Sequence, residues 1–370
     1  MPNPNKRVFY ACEAVAIGKI DPTSGAASDL EFVHGVQSVG MNTNFNVEAI
    51  FELGQSAPYD QVETNPEIEF TIEKVIDGYP FIYHMATSGA TSNNLEARLK
   101  QRCNVAMAIG SDENLAISGG PGVPTVEIYM SGMYVNGMTY TFSADGNATE
   151  SVTLVGNNKV WNASTPFENT TAGHKAGAMT GWTSTVVNAI DDRISPARTF
   201  NEDYPIGSGG IVRREDVIME SSIMPVSIFG VNGTGVGNNW DSGAGAPRAH
   251  ITNVTISMGD AGREDIYELG SKDPYFKTAA GSKEITAEIE VATVSGDFLG
   301  IVSNKDTSPP QPIKVVLRNG ATFDLGAKNK VTAVSYGGGE AGGGNLTITY
   351  SFTTQNDLTI TQPNLFNILS

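Results

Sequence analysis

The chain spells nearly the same phrase twice: "IFELGQSAPYDQ" begins at Ile50 and "IYELGSKDPYFK" begins at Ile266. In both copies Ile and an aromatic residue precede Glu-Leu-Gly, and three residues separate that Gly from Pro-Tyr. Spaced agreement of this kind marks an internal repeat, and a repeat restricts the fold to two versions of one unit. Parity along the flanking segments says what the unit contains, because successive side chains of a strand point to opposite faces. In "EIEFTIEKV", Glu67, Glu69, Thr71 and Glu73 share one face, while Ile68, Phe70 and Ile72 share the other. In "EITAEIEV", Glu284, Thr286, Glu288 and Glu290 oppose Ile285, Ala287, Ile289 and Val291. Both segments therefore read as half-buried antiparallel strands with one apolar and one acidic face.

Upstream of each, another strand pattern runs to Leu53 or Leu269. Gly-x-x-x-Pro-Tyr then connects two long strands, Gly supplying an unusual dihedral and Pro fixing one. The strand-like segments "TVEIYMSGMYVNGMTYTF" and "ESVTLVGNNKVW" complete the first unit; "PIKVVLRNGATFDLG", "KVTAVSY" and "NLTITYSFTT" complete the second. One helix is predicted over 94–108: Asn93 and Glu96 fit a capping box, and Leu95, Leu99, Cys103 and Met107 recur every fourth residue. The stretch 162–210, rich in Thr, Ala, Gly and Ser and holding Trp182, has no counterpart in the second half. The expected architecture is all-β with a minor helix, in two tandem domains, 1–205 and 206–370. The first carries the long insertion at 162–210.

The chemistry that is missing narrows the function. A formal charge of -17 on 370 residues argues against a basic nucleic-acid-binding surface. No run of about 18 apolar residues predicts a membrane span, and the N-terminus lacks the apolar core of a signal peptide. Without an export signal, the Asn-x-Ser/Thr sequons at Asn147, Asn162, Asn169, Asn232, Asn253 and Asn345 read as by-products of an Asn- and Thr-rich chain. Cys12 and Cys103 cannot make a disulfide framework and are expected as buried thiols. His34, His84, His174 and His250 stand singly, so no metal site and no cofactor are expected. "GSGG" at Gly207 and "GGPG" at Gly119 lack the Lys-Ser/Thr ending of a phosphate loop. Glu67 and Glu69 could in principle be a glycosidase pair, but neighbours on one strand face more often form a solvated stripe. The chain is not expected to be an enzyme.

The phrase Glu-Leu-Gly-x-x-x-Pro-Tyr followed by "IEFTIEKVIDGYPFIYHMAT" resembles the major tail tube protein of tailed bacteriophages. "ESVTLVGNNKVW" at Glu150 and "GIVRREDV" at Gly210 add to the likeness, which runs through most of residues 36–230 and extends through the repeat. The resemblance implies a β-sandwich or small barrel with a flanking helix and a long inward hairpin. It further implies stacked rings that form a hollow tube for the genome. A duplicated chain is similar to the type in which three subunits build a pseudo-hexameric ring. On that reading Glu67, Glu69, Glu73, Glu284, Glu288 and Glu290 line the DNA channel. Contacts between subunits or rings fall to Glu52, Leu53, Gly54, Pro58, Tyr59, Glu268, Leu269, Gly270, Pro274, Tyr275 and Trp182. The partners implied are other copies of the chain and the tape measure, tip or baseplate and terminator proteins, with a sheath where one is present. Double-stranded DNA passes without specific binding. The place of action is the virion, after assembly in the host cytoplasm. Two alternatives stay open: a secreted or virion-surface β-sandwich that binds glycans, with "NGTGVGNNWDSGAG" at Asn232 as its nearest loop, and another tail ring component such as a terminator or baseplate protein.

Overall fold

A computed structural model describes residues 13–20, 31–90, 92–109, 126–162, 211–218, 249–270, 274, 276–279, 281–293, 310–338 and 346–362. The first half contributes β1 (Glu13–Lys19), β2 (Glu31–Phe32), β3 (Val36–Asn44), β4 (Val47–Phe51), β5 (Pro58–Glu63) and β6 (Glu67–Val75). Two short helices follow, α1 (Ile82–Ala86) and α2 (Leu95–Leu99), then β7 (Cys103–Ile109), β8 (Val126–Ser143), β9 (Thr149–Gly156) and β10 (Asn158–Asn162). The second half contributes β11 (Val217–Ile218), β12 (Ala249–Met258), β13 (Arg263–Ile266), β14 (Phe276–Ala279) and β15 (Glu284–Thr293). It ends with β16 (Lys314–Leu317), β17 (Thr322–Asp324), β18 (Lys330–Gly337), β19 (Thr347–Gln355) and β20 (Thr359–Thr361). The fold is all-β with minor helix.

A twelve-stranded sheet dominates, and eight of its strands lie in the order β3-β6-β9-β8-β12-β15-β19-β18. The first four come from the first half and the last four from the second. Within each set the ladders correspond down to their irregularities. The bulge between Val36 and Ser38 against β6 recurs between Ile251 and Asn253 against β15, and that between Val135 and Gly137 against β9 recurs between Val331 and Ala333 against β19. The hairpins agree in register as well: Val47 faces Glu63 and Ile50 faces Asp60, as Arg263 faces Ala279 and Ile266 faces Phe276. The long strand β8 joins the sets, pairing with β9 on one side and β12 on the other. Its first half carries β7 and β10, and β1 and β2 follow β7.

The apolar parity of these strands makes the core. Ile68, Phe70, Ile72, Val254, Ile256, Ile285, Ala287 and Ile289 are buried, and α1 is buried on every side. A second sheet, β11-β16-β17-β20, closes over them. Phe323 of β17 is wholly buried, with ring centroids 4.8 Å from Tyr140, 5.2 Å from Phe142 and 5.5 Å from Phe81. Phe323→Ala removes a ring that ties the two sheets to Phe81 at the N-cap of α1 and is expected to lower stability by about 3–5 kcal/mol. Urea unfolding followed by tryptophan fluorescence measures this, and an unchanged midpoint would contradict the packing.

The predicted helix over 94–108 is corrected. Only Leu95–Leu99 is helical; its N-cap is Asn94, whose side chain accepts from Ala97 N at 2.8 Å, and Cys103–Ile109 is a strand. Cys103, Val105, Met107 and Ile109 alternate, so the second part of the segment fits period two as well as period four, and pairing with β1 and β8 decides it. Cys103 is a buried thiol whose pKa burial pushes up to about 12. Trp182, Tyr275, Cys12, the loop at Asn232 and most of the insertion 162–210 lie outside the described residues.

Candidate functional site

One face of the eight-strand array is mostly polar, because alternation puts most apolar residues on the other side; Val155 opposite Glu69, Ala292 and Ala333 are exceptions. Glu67, Glu69 and Glu73 of β6 and Glu284, Glu288 and Glu290 of β15 all lie on it, exposed or half-exposed. Their cross-strand neighbours are mostly hydroxyl or amide side chains. Glu73 lies between Ser38 and Ser151, Glu288 between Thr255 and Ser351, and Glu290 between Asn253 and Thr349. No two carboxylates stand directly opposite, which avoids the repulsion that like-charged cross-strand pairs suffer. Ser38 donates to Glu73 Oε2 at 3.0 Å, and Ser257 and Thr286 hydrogen-bond at 2.6 Å. Among the described residues of this array, Lys330 at the start of β18 is the one cation at a polar-face position. The second-half hairpin brings in a further cation: Lys277 of β14 lies 3.2 Å from Asp265 and 3.8 Å from Glu67.

The hairpins β4–β5 and β13–β14 share a register but not surroundings. The second is seated on the first half of the chain. Arg263 donates to Leu99 O at 2.7 Å and to Val135 O, and its guanidinium lies 4.6 Å from the centre of the Tyr134 ring. The first stands clear of the other described residues, with every residue of β4 and β5 exposed. Phe45 is 64% exposed, Phe51 65% and Tyr59 70%. Phe45, Val47, Ala49 and Phe51 alternate with polar residues as a core-facing strand would, yet among the described residues they meet no core, whereas Val39 and Met41 of β3 pack against it.

Both tips begin at a glycine of the same conformation. Gly54 has φ +94° and Gly270 φ +91°, with no atom near where a Cβ would stand, so dihedral angle rather than space requires glycine. Beside them Leu53 and Leu269 are fully exposed, and Glu52 and Glu268 are exposed. Pro58 and Tyr59 open β5 on the exposed arm, whereas Pro274 is half-buried.

Parity also contained a signal that sequence reasoning passed over. Lys74 and Glu150 occupy apolar positions in their strands and pair directly across β6 and β9, both wholly buried. Glu150 accepts from Ile82 N at 2.8 Å, Tyr83 N at 3.1 Å and the Tyr140 hydroxyl at 2.9 Å. Lys74 donates to Asp77 at 3.2 Å and to Pro80 O at 3.0 Å. Burial raises the pKa of both Glu150 and Asp77, against the opposing charge of Lys74. This cluster anchors α1 and has no open side for a substrate.

His84 of the same helix is buried with neither ring nitrogen hydrogen-bonded, and burial holds its pKa near 3. The unfolded chain takes up that proton below about pH 6.5, while the folded chain does not until about pH 3. The unfolded state therefore binds more protons in this window, and stability falls as the pH falls through it. His84→Leu is expected to reduce the stability lost between pH 7 and pH 5 by about 2 kcal/mol. Glu150 and Asp77 work in the opposite sense, since their raised pKa favours the folded state in acid, and comparing parent with variant cancels them. Equal acid losses in paired urea titrations would refute the assignment.

Among the described residues no group of three or more His, Cys, Asp or Glu is placed to hold a metal ion, and no helix is long and apolar enough to cross a membrane. No protein-family model matches the chain, and no curated protein matches it. Among solved structures it is similar to the tube-terminating cap of the anti-feeding prophage, with 12% identity over 43% of this chain and 92% of that one, at a TM-score of 0.30. A chain of the sheath–tube complex of the PVC extracellular contractile injection system, in its extended state, gives 11% identity, 44% and 95% coverage, and a TM-score of 0.30. A chain of the anti-feeding prophage baseplate gives 9%, 40% and 92%, and 0.29. These are weak neighbours that cover less than half of the chain, and all three come from phage-tail-like assemblies.

Proposed function

We propose that the protein is a tail tube subunit, three copies of which close into a ring, with rings stacking into a tube that conducts double-stranded DNA. The observation that carries this is the continuous eight-strand array, in which two matching four-strand sets follow one another head to tail and share one acidic face. A head-to-tail repeat forms a ring when its rotation closes, and closure pairs the edges β3 and β18, which carry no further strand among the described residues.

Strand spacing favours three chains. Sixteen strands about 4.8 Å apart enclose a backbone circle about 24 Å across, and twenty-four enclose one about 37 Å across. Side chains fill about 5 Å on each side, half the usual distance between packed sheets. Two chains would leave a bore of about 14 Å, and three about 27 Å, wide enough for a duplex; strand tilt widens both.

The six glutamates then line the bore. DNA carries one negative charge per about 1.7 Å of axis, so cations on the wall would pair with phosphates and hold it. Carboxylates give no such hold, and at physiological salt their repulsion reaches about 8 Å. The wall works by not binding, and no catalytic group is needed. Leu53 and Leu269, at the tips, are contacts between rings. The other tail proteins are partners, and the virion is the place of action.

Electron microscopy of the purified protein, alone or with seeds from a disrupted virion, tests the proposal. Hollow rings or rods with a mass of three chains per ring are expected. Compact monomers that no seed converts would contradict it and favour a surface-displayed β-sandwich.

A further inference from the structure

Within the chain, the two sets meet where β8 pairs with β12: Met138 faces Met258, Tyr140 faces Ile256 and Phe142 faces Val254. All six residues are buried. The corresponding strands at the outer edges of the array are β18 and β3, and matching bulges fix the correspondence residue by residue. Tyr336 stands where Tyr140 stands and Val334 where Met138 does; Val39 and Met41 stand where Val254 and Ile256 do. Tyr140 is 0% exposed, yet Tyr336 is 57% exposed. Val39 and Met41 are only partly covered, while Val254 and Ile256 are buried. The outer edges therefore carry the apolar residues of the inner joint, and among the described residues no strand pairs beyond them.

We infer that the internal β8–β12 joint is the template for the joint between neighbouring chains: β18 of one pairs antiparallel with β3 of the next, with Val334, Ser335, Tyr336, Gly337 and Gly338 facing Thr43, Asn42, Met41, Gly40 and Val39. This rests on the ring reading and adds the edges, the direction and the register. The occupant of each edge is a second copy of this chain, because the only ladder that these residues are seen to match is the chain's own.

The same template places the exposed hairpin. At the inner joint β13–β14 lies across the first half, held by Arg263 on Val135 O and by Lys277 near Glu67. Carried to the outer joint, β4–β5 of the chain that supplies β3 lies across the second half of the chain that supplies β18, beside its Val331 and Glu284. Phe45, Phe51 and Tyr59 gain a surface there. The cations are not repeated, since Val47 corresponds to Arg263 and Gln61 to Lys277. The joint between chains lacks the staple of the joint within one, so rings come apart into folded chains before the chains unfold.

Cysteines at directly opposed positions of adjacent antiparallel strands are close enough to oxidise. In a Cys12→Ser background, Asn42→Cys with Ser335→Cys is expected to convert assembled particles into covalent dimers and closed trimers, with at least tenfold more product than Asn42→Cys with Ala333→Cys, which is two residues out of register. Equal or greater product from the shifted pair would overturn the register. No product from either pair, in particles that microscopy shows to be hollow rings, would overturn the joint and leave the ring reading standing. Absence of rings under every seeding condition would overturn both. As a second variant, Tyr336→Asp is expected to abolish rings while the dissociated chain stays folded, with a urea midpoint close to the parent's, as befits an exposed position; rings of normal abundance would count against the joint.

Discussion

Particles assembled from the triple variant Glu69→Lys, Glu288→Lys, Glu290→Lys are expected to keep normal dimensions and to release DNA at least about tenfold more slowly at low salt. The dimensions hold because these positions are solvated and face uncharged neighbours, so reversal creates no buried charge and breaks no core contact. Release slows because each reversal replaces a repelling group with one that can pair with a phosphate, and the threefold repeat multiplies the change around each ring. The delay should shrink as salt rises, since counterion competition weakens every such pair. A salt series of release kinetics, with dye-labelled DNA, reads both effects together. Parent-like kinetics at all salts would remove the six glutamates from the channel wall. A delay that did not respond to salt would point to a blocked bore rather than an adhesive one.

Replacing Leu53 and Leu269 together by Asp should stop rods from growing while single rings persist. The hairpin β13–β14 is already seated on its own chain, yet Leu269 at its tip remains fully exposed. Seating β4–β5 on a neighbour would leave Leu53 in the same condition, so neither tip is satisfied within a ring. Burying one leucine contributes about 1.5–3 kcal/mol, so a ring presenting both tips from each of three chains gains on the order of 10 kcal/mol from its neighbour. Asp at these places leaves a carboxylate to be desolvated instead. Rod lengths on micrographs measure the outcome, and unchanged lengths would assign the tips to solvent.

The strand faces were legible because parity is a local property: Glu-Ile-Glu-Phe-Thr-Ile-Glu needs no tertiary information to separate its two sides. The hairpins were legible for the same reason, with glycine at a dihedral few other residues adopt. What escaped depended on partners distant in the chain. The stretch 103–109 satisfied both helical and strand spacing, and only its neighbours β1 and β8 chose between them. Lys74 broke the apolar face of β6 in plain view, but its pairing with Glu150 required knowing that β6 lies against β9. Arg263 gave no local sign at all. Its role arises because the second unit has a first unit to rest on, and the first unit, having none in the chain, carries Val47 there. The most informative difference between the copies was thus a substitution inside a well-matched phrase, visible as a letter but without meaning until the sheet order was known.

The claim on which the rest depends is that the acidic face of the sheet encloses the axis of a closed ring. A cryo-EM map of the assembled particle, at a resolution that separates strands, tests it most directly. The account predicts an unbroken wall of hydrogen-bonded strands around a central hole, with Glu69 and Glu288 pointing to the axis and Phe323 outside the wall. A wall with Phe323 nearer the axis than Glu69, or a particle without a hole, would contradict it.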